Sequence, residues 1–137
     1  MGRFIRADDE GSVVLEVVVL GVGLLVPLLF GAISIMDVEA ARFAATSAAR
    51  EAARAYVTAP TVVQARARAT MAARLVLQDA QRSPVTPAVT CVGGCLRPGS
   101  HVNVTVSLAV SLPLLGRSAL TVSSTESMPV DRFRDAP

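Results

Sequence analysis

Between Val17 and Met36 the chain carries no charged residue, and Glu16 alone interrupts an apolar stretch that begins at Ser12. At about 1.5 Å per residue, a helix over residues 12–36 is roughly 38 Å long, enough to cross a hydrocarbon layer of ~30 Å. Backbone groups in lipid must find partners within their own segment, so the pattern predicts a helix. Gly21, Gly23 and Gly31 leave shallow places where another helix can approach closely. Pro27 removes one backbone hydrogen bond, which predicts a kink or loosening near Gly23.

The helical pattern continues from residue 37 to about 58, where Ala, the best helix former, fills much of the segment. Glu39 with Arg42, and Glu51 with Arg54, are spaced i to i+3 on its surface. An Ala-rich face permits close packing of a partner helix, and it equally suits covering the domain's own sheet. Pro60 disfavours helical geometry at Ala59, so the helix ends near Thr58. Thr61-Val62-Val63-Gln64 then has the capping-box form. It predicts a second helix to about Arg82, with Val63, Ala67, Met71 and Leu75 as its apolar stripe. Arg66, Arg68, Arg74 and Arg82 form its solvated face.

Ser83-Pro84 breaks the helical pattern. Val102, Val104, Val106, Leu108 and Val110 then alternate with Asn103, Thr105, Ser107, Ala109 and Ser111, the period of a half-buried strand. Residues 85–91 read as a strand before it and 118–128 as one after it, with a turn at Gly116. The fold class is therefore α+β: a long N-terminal transmembrane helix continuing into a small domain with a second helix and about three antiparallel strands. The chain divides into a leader (1–11), a membrane helix (12–36), a helical region (37–82) and a β-rich region (83–137).

Composition narrows the function. The chain has 137 residues, a mean hydropathy of +0.52 and a net charge of +2. Four Phe, one Tyr and no Trp leave Val, Leu and Ala to build the core. All 13 basic residues are Arg, a mark of GC-rich coding rather than of nucleic-acid binding. No aromatic residue is interleaved with Arg66, Arg68, Arg74 and Arg82 of the second helix, so a nucleic-acid partner is not expected. A surface that attracts anionic envelope polymers is a weaker alternative. There is one His, no Gly-rich phosphate loop and no base beside Ser123-Ser124, so neither an enzyme nor a cofactor is expected.

Cys91 and Cys95 flank Val92-Gly93-Gly94, and the two glycines permit a tight reversal. On the outer side of a membrane this pair predicts a disulfide closing a small loop. A metal site with His101 would lack a fourth ligand, and a redox-active pair would lack an adjacent helix N-terminus.

Glu16 is the residue that needs a reason. A carboxylate within a membrane helix is costly, about 2.5–3.5 kcal/mol at the bilayer centre on insertion scales and less near an interface. It stands fifth after Gly11 in Gly11-Ser12-Val13-Val14-Leu15-Glu16, behind a short polar leader with Asp8, Asp9 and Glu10. This arrangement resembles the processing signal of type IV pilin-like proteins. Pro27 within the apolar run and Ala44-Ala45-Thr46-Ser47-Ala48-Ala49-Arg50-Glu51-Ala52-Ala53-Arg54 after it resemble the TadE-like pseudopilins of tight-adherence (Tad) pilus systems. The resemblance covers about residues 8–58.

It implies a prepilin peptidase that cuts between Gly11 and Ser12, where a small residue lets the backbone enter the protease. It implies pairing of the new Ser12 ammonium with Glu16, and packing against other pilin-like subunits and Tad membrane platform proteins. It also implies that the strands pack on the long helix. With the cysteines, it implies a chain single-pass in the cytoplasmic membrane, N-terminus inside and C-terminal domain outside. The flanking charges do not decide orientation: Arg3 and Arg6 on one side face Arg42, Arg50 and Arg54 on the other. Three other readings compete. A secretory signal peptide has an apolar core of only about 7–15 residues after a basic start. A plain anchor makes Glu16 incidental. A membrane-tethered envelope-binding module needs neither cleavage nor Glu16.

Overall fold

In the computed structural model one helix runs unbroken from the apolar segment into the folded domain. The structure describes the backbone of residues 9–112 and 119–133 and the side chains of 13–112 and 120–133. Helix α1 (Asp9–Val57) is followed by α2 (Val62–Asp79) and by strands β1 (Ala88–Val92), β2 (His101–Ser111) and β3 (Ala119–Pro129). The strands form one antiparallel sheet in the order β1-β2-β3. The architecture is α+β, as the patterning predicts. Residues 1–8 of the expected leader, and the expected turn at Gly116, lie outside the described residues.

The two halves of α1 live in different surroundings. From Val13 to Met36 its large apolar side chains are exposed, and α1 is long and apolar enough to cross a membrane. Helical structure is continuous across Pro27. Beyond the apolar run the helix buries Ala41, Ala44, Ala45, Ala48, Ala49, Ala52, Ala53 and Tyr56. That spacing of three and four residues makes one continuous helical face. The face covers the domain's own sheet and α2, which is where the Ala-rich surface is spent. Glu39 and Arg42 form the expected ion pair at 3.5 Å. Glu51 and Arg54 do not pair among the described residues; Arg50 instead reaches across to Glu126 on β3 at 3.8 Å.

Helix α2 begins as its sequence predicts: the Gln64 amide donates to the Thr61 hydroxyl at 3.3 Å. Its buried face differs from the expected one. The residues that pack inward are Ala65, Ala69, Ala73 and Leu77, while Val63, Met71 and Leu75 are 80%, 62% and 57% exposed. The reason is volume. α1 presents an alanine face, and a matching alanine face on α2 lets the two backbones approach closely. The bulkier Val-Met-Leu stripe cannot enter that space without forcing the helices apart.

The end of α2 also differs. It stops at Asp79 rather than near Arg82, because Gln81 adopts a left-handed conformation (φ 53°). The Arg82 amide then donates to Leu77 O at 2.7 Å and the Gln81 amide to Gln78 O at 2.9 Å. These are the two bonds of a Schellman stop, usually marked by Gly, which is absent here.

In the sheet, Val102, Val104, Val106, Leu108 and Val110 point into the core, as alternation predicts. The opposite face is wet and carries cross-strand hydroxyl pairs, Thr105 with Thr125 at 2.8 Å and Ser107 with Ser123 at 2.9 Å. Strand β1 begins at Ala88 rather than 85, immediately after Pro87, which has no N–H to give to a ladder. On β3 the inward face mixes chemistry. Val122 is buried, Ser124 bonds Thr46 of α1 at 3.0 Å, and Glu126 meets Arg50. These contacts fix the direction of the sheet: β3 climbs beside α1, away from the apolar segment.

Candidate functional site

The residues singled out at the head of α1 share one helix, and an unbroken helix fixes their relative positions. At about 100° per residue, Gly23, Pro27 and Ser34 fall within roughly 20° of Glu16 and Gly31 within roughly 60°. Gly21 lies roughly 140° away and belongs to another face. Glu16 is exposed on this surface. A Cβ added at Gly21, Gly23 or Gly31 would meet nothing within 4 Å, so each leaves an open hollow along the helix. Four of the five residues named for helix packing or charge in the apolar segment thus form a single stripe, with a carboxylate at one end. Gly11 and Ser12 lie in the first turns of the helical backbone, and Ser12 is one turn before Glu16.

At the other end of the apolar segment α2 is clasped to α1. The Arg82 guanidinium donates to the Asp37 carboxylate at 2.5 Å and to the Asp37 carbonyl at 3.2 Å. This corrects the expectation that Arg82 belongs to a solvated face; its side chain is only 20% exposed. The Schellman stop turns Arg82 back toward α1, and Asp37 is the first charge after the apolar run.

Cys91 and Cys95 form the expected disulfide, with a Cα–Cα distance of 5.2 Å. Gly93 and Gly94 hold left-handed conformations at φ 83° and 104°, so the reversal depends on both glycines. The loop joins the end of β1 to Leu96, which also holds a left-handed conformation (φ 60°) and is fully buried. Nothing in the local pattern singled out Leu96. A bulky residue in that region is unfavourable by about 1–2 kcal/mol, so core packing and the closed loop must hold it there. His101 sits exposed at the start of β2, opposite Val92 and Pro129. For so short a loop, chain-entropy arguments give about 2 kcal/mol of stabilisation. Cys91→Ser is accordingly expected to lower stability by up to about 2 kcal/mol, read as earlier loss of protease resistance on heating.

The outer face of α2 is a second candidate surface. Met71 and Ala67 lie in a shallow depression between Arg66, Thr70 and Arg74. An apolar stripe bordered by arginines is the make-up of a contact surface rather than of a catalytic pocket.

Comparison with protein-family models, with curated proteins and with solved structures gives no match for this chain.

Proposed function

We propose that this chain is a TadE-like pseudopilin: a single-pass, prepilin-peptidase-processed subunit that takes part in assembling a Tad pilus. The observation that carries this reading is the pairing of Gly11 with Glu16 at the head of a membrane-length helix that continues, unbroken, as the spine of an α+β domain. The peptidase would cut between Gly11 and Ser12. The stripe from Glu16 through Gly23, Pro27 and Gly31 would then pack against the helices of other pilin-like subunits, with the glycines allowing close approach. The domain lies outside the cytoplasmic membrane in this reading, where its disulfide is stable. A structural role in initiation or assembly suits this chain better than that of a main fibre subunit, because its α+β domain is large beside the short major pilins of such systems.

Intact-mass analysis of protein taken from its native membrane tests the reading. The expected result is loss of residues 1–11. A mature chain that still begins at Met1 overturns it, and one that begins near Ala41 makes the apolar segment a signal peptide.

A second reading rests on the arginine-bordered stripe of α2, which would suit a tethered module binding an envelope component. It requires no cleavage, so the same measurement separates the two.

A further inference from the structure

The lower end of the sheet meets α1 at an unexpected height. A groove there is lined by Ser34, Ile35, Val38 and Glu39 of α1, by Leu112 just after β2 and by Leu120 at the start of β3. Ser34 and Ile35 belong to the uncharged run. Glu16 and Asp37 bound that run, and the residues between them make a helix of about 30 Å, the thickness of the hydrocarbon layer. Sliding the helix outward would draw Glu16 into lipid, and sliding it inward would draw in Asp37. The span therefore has one favourable placement, with Ile35 at the outer boundary of the hydrocarbon.

We infer that the foot of the sheet, at Leu112 and Leu120, rests in the interfacial layer of the membrane as a second lipid contact beside the span. The inference rests on residues 12–36 crossing a bilayer, and holds whether or not the chain is a pseudopilin. Three observations carry it. The descent of β3 along α1, through Arg50–Glu126, Thr46–Ser124 and the buried Ala41–Val110–Val122 cluster, continues to Leu120 at the level of Ile35 and Val38. The apolar side chains there are open, with Ile35, Met36 and Leu120 being 68%, 73% and 43% exposed. The charges just above are already paired, Asp37 with Arg82 and Glu39 with Arg42, forming a polar collar at headgroup height. Leucines below a charged collar are the arrangement of an interfacial contact. The domain is thus seated on the membrane rather than held off it by a stalk.

The chain has no Trp, so one introduced Trp reports its own surroundings. The full chain would be reconstituted at high lipid-to-protein ratio in phosphatidylcholine–phosphatidylglycerol vesicles, with and without bromine near the headgroup end of the acyl chains. Leu120→Trp and, independently, Leu112→Trp are expected to emit at shorter wavelength and to lose roughly half their intensity to the brominated lipid. Val63→Trp, at the far end of the domain, is expected to lose less than roughly a tenth. Leu24→Trp, with bromine placed deep in the chains, checks the span itself. If Leu24→Trp is quenched while both foot variants emit as in water, the seating is overturned and the span stands. If the foot variants emit at short wavelength but escape quenching, the groove is covered by protein and the lipid assignment fails. If Leu24→Trp escapes quenching, the span and the inference fall together.

Discussion

Replacing Glu16 with Gln is expected to leave the chain made, inserted and cut after Gly11, yet to give few or no pili. Gln is nearly isosteric and removes only the charge. Cleavage would create an ammonium at Ser12, one turn from Glu16 on the same helix. Each charge alone is costly, by about 2.5–3.5 kcal/mol at the centre of an apolar layer and less near its edge, and pairing offsets much of that. If the partner amine belongs to a neighbouring subunit, the pair fixes the axial offset between helices, because every other register leaves a charge unpaired. Loss of even about 1.4 kcal/mol per contact weakens each contact roughly tenfold, and the loss compounds along an assembly. If Ser12 and Glu16 instead pair within one helix, the substitution changes little. Membrane fractionation, the size shift on processing and a count of surface pili decide between these. Normal piliation in Glu16→Gln would reduce Glu16 to a tolerated residue near the membrane edge.

Enlarging the alanine face of α1 is expected to give the largest loss of stability in the domain. Ala52 is fully buried, in one cluster with Ala69, Ala73, Val104 and Val106. Ala52→Leu adds three carbons at a fully buried position in a cluster to which two helices and the sheet all contribute. Overpacking of this kind costs about 1–3 kcal/mol, and more where backbones must separate. In a domain of this size each kcal/mol moves the midpoint by about 4–8 °C. The control is Met71→Ser, a loss of hydrophobicity at an exposed site, expected to stay within about 0.5 kcal/mol. The measurement is the temperature at which the reconstituted domain loses protease resistance. Equal midpoints for Ala52→Leu and wild type would show that α1 and α2 are not closely packed there.

The contrast between these two substitutions marks where local pattern stops being informative. The apolar run, the α1 spine from Asp37 to Val57, the Thr61 cap and the alternation of β2 were legible because each is set by neighbours in the chain. Solvent or lipid preference decides the first, helix propensity the second, a three-residue hydrogen bond the third and a period of two the fourth. The Cys91–Cys95 loop was legible for the same reason: two glycines between close cysteines leave little else to do. The Gly11–Glu16 signal is also local, and the reading of function rests on it.

Tertiary packing decided the rest. Hydrophobicity alone favours Val63, Met71 and Leu75 over Ala65, Ala69 and Ala73 as the buried face of α2, yet the alanines are buried. The choice depends on the size of the partner surface, which lies on another helix. Arg82 looked solvated until a left-handed Gln81 turned it onto Asp37. Leu96 had no periodic context, and it is buried because a closed loop aims it inward. The sequence by itself determined which segments are helix and strand and which helix is long and apolar enough to cross a membrane, because those follow from interactions within a few residues. Only the tertiary structure decided which faces meet and how low the sheet sits against α1, because those depend on volume and register between distant parts of the chain.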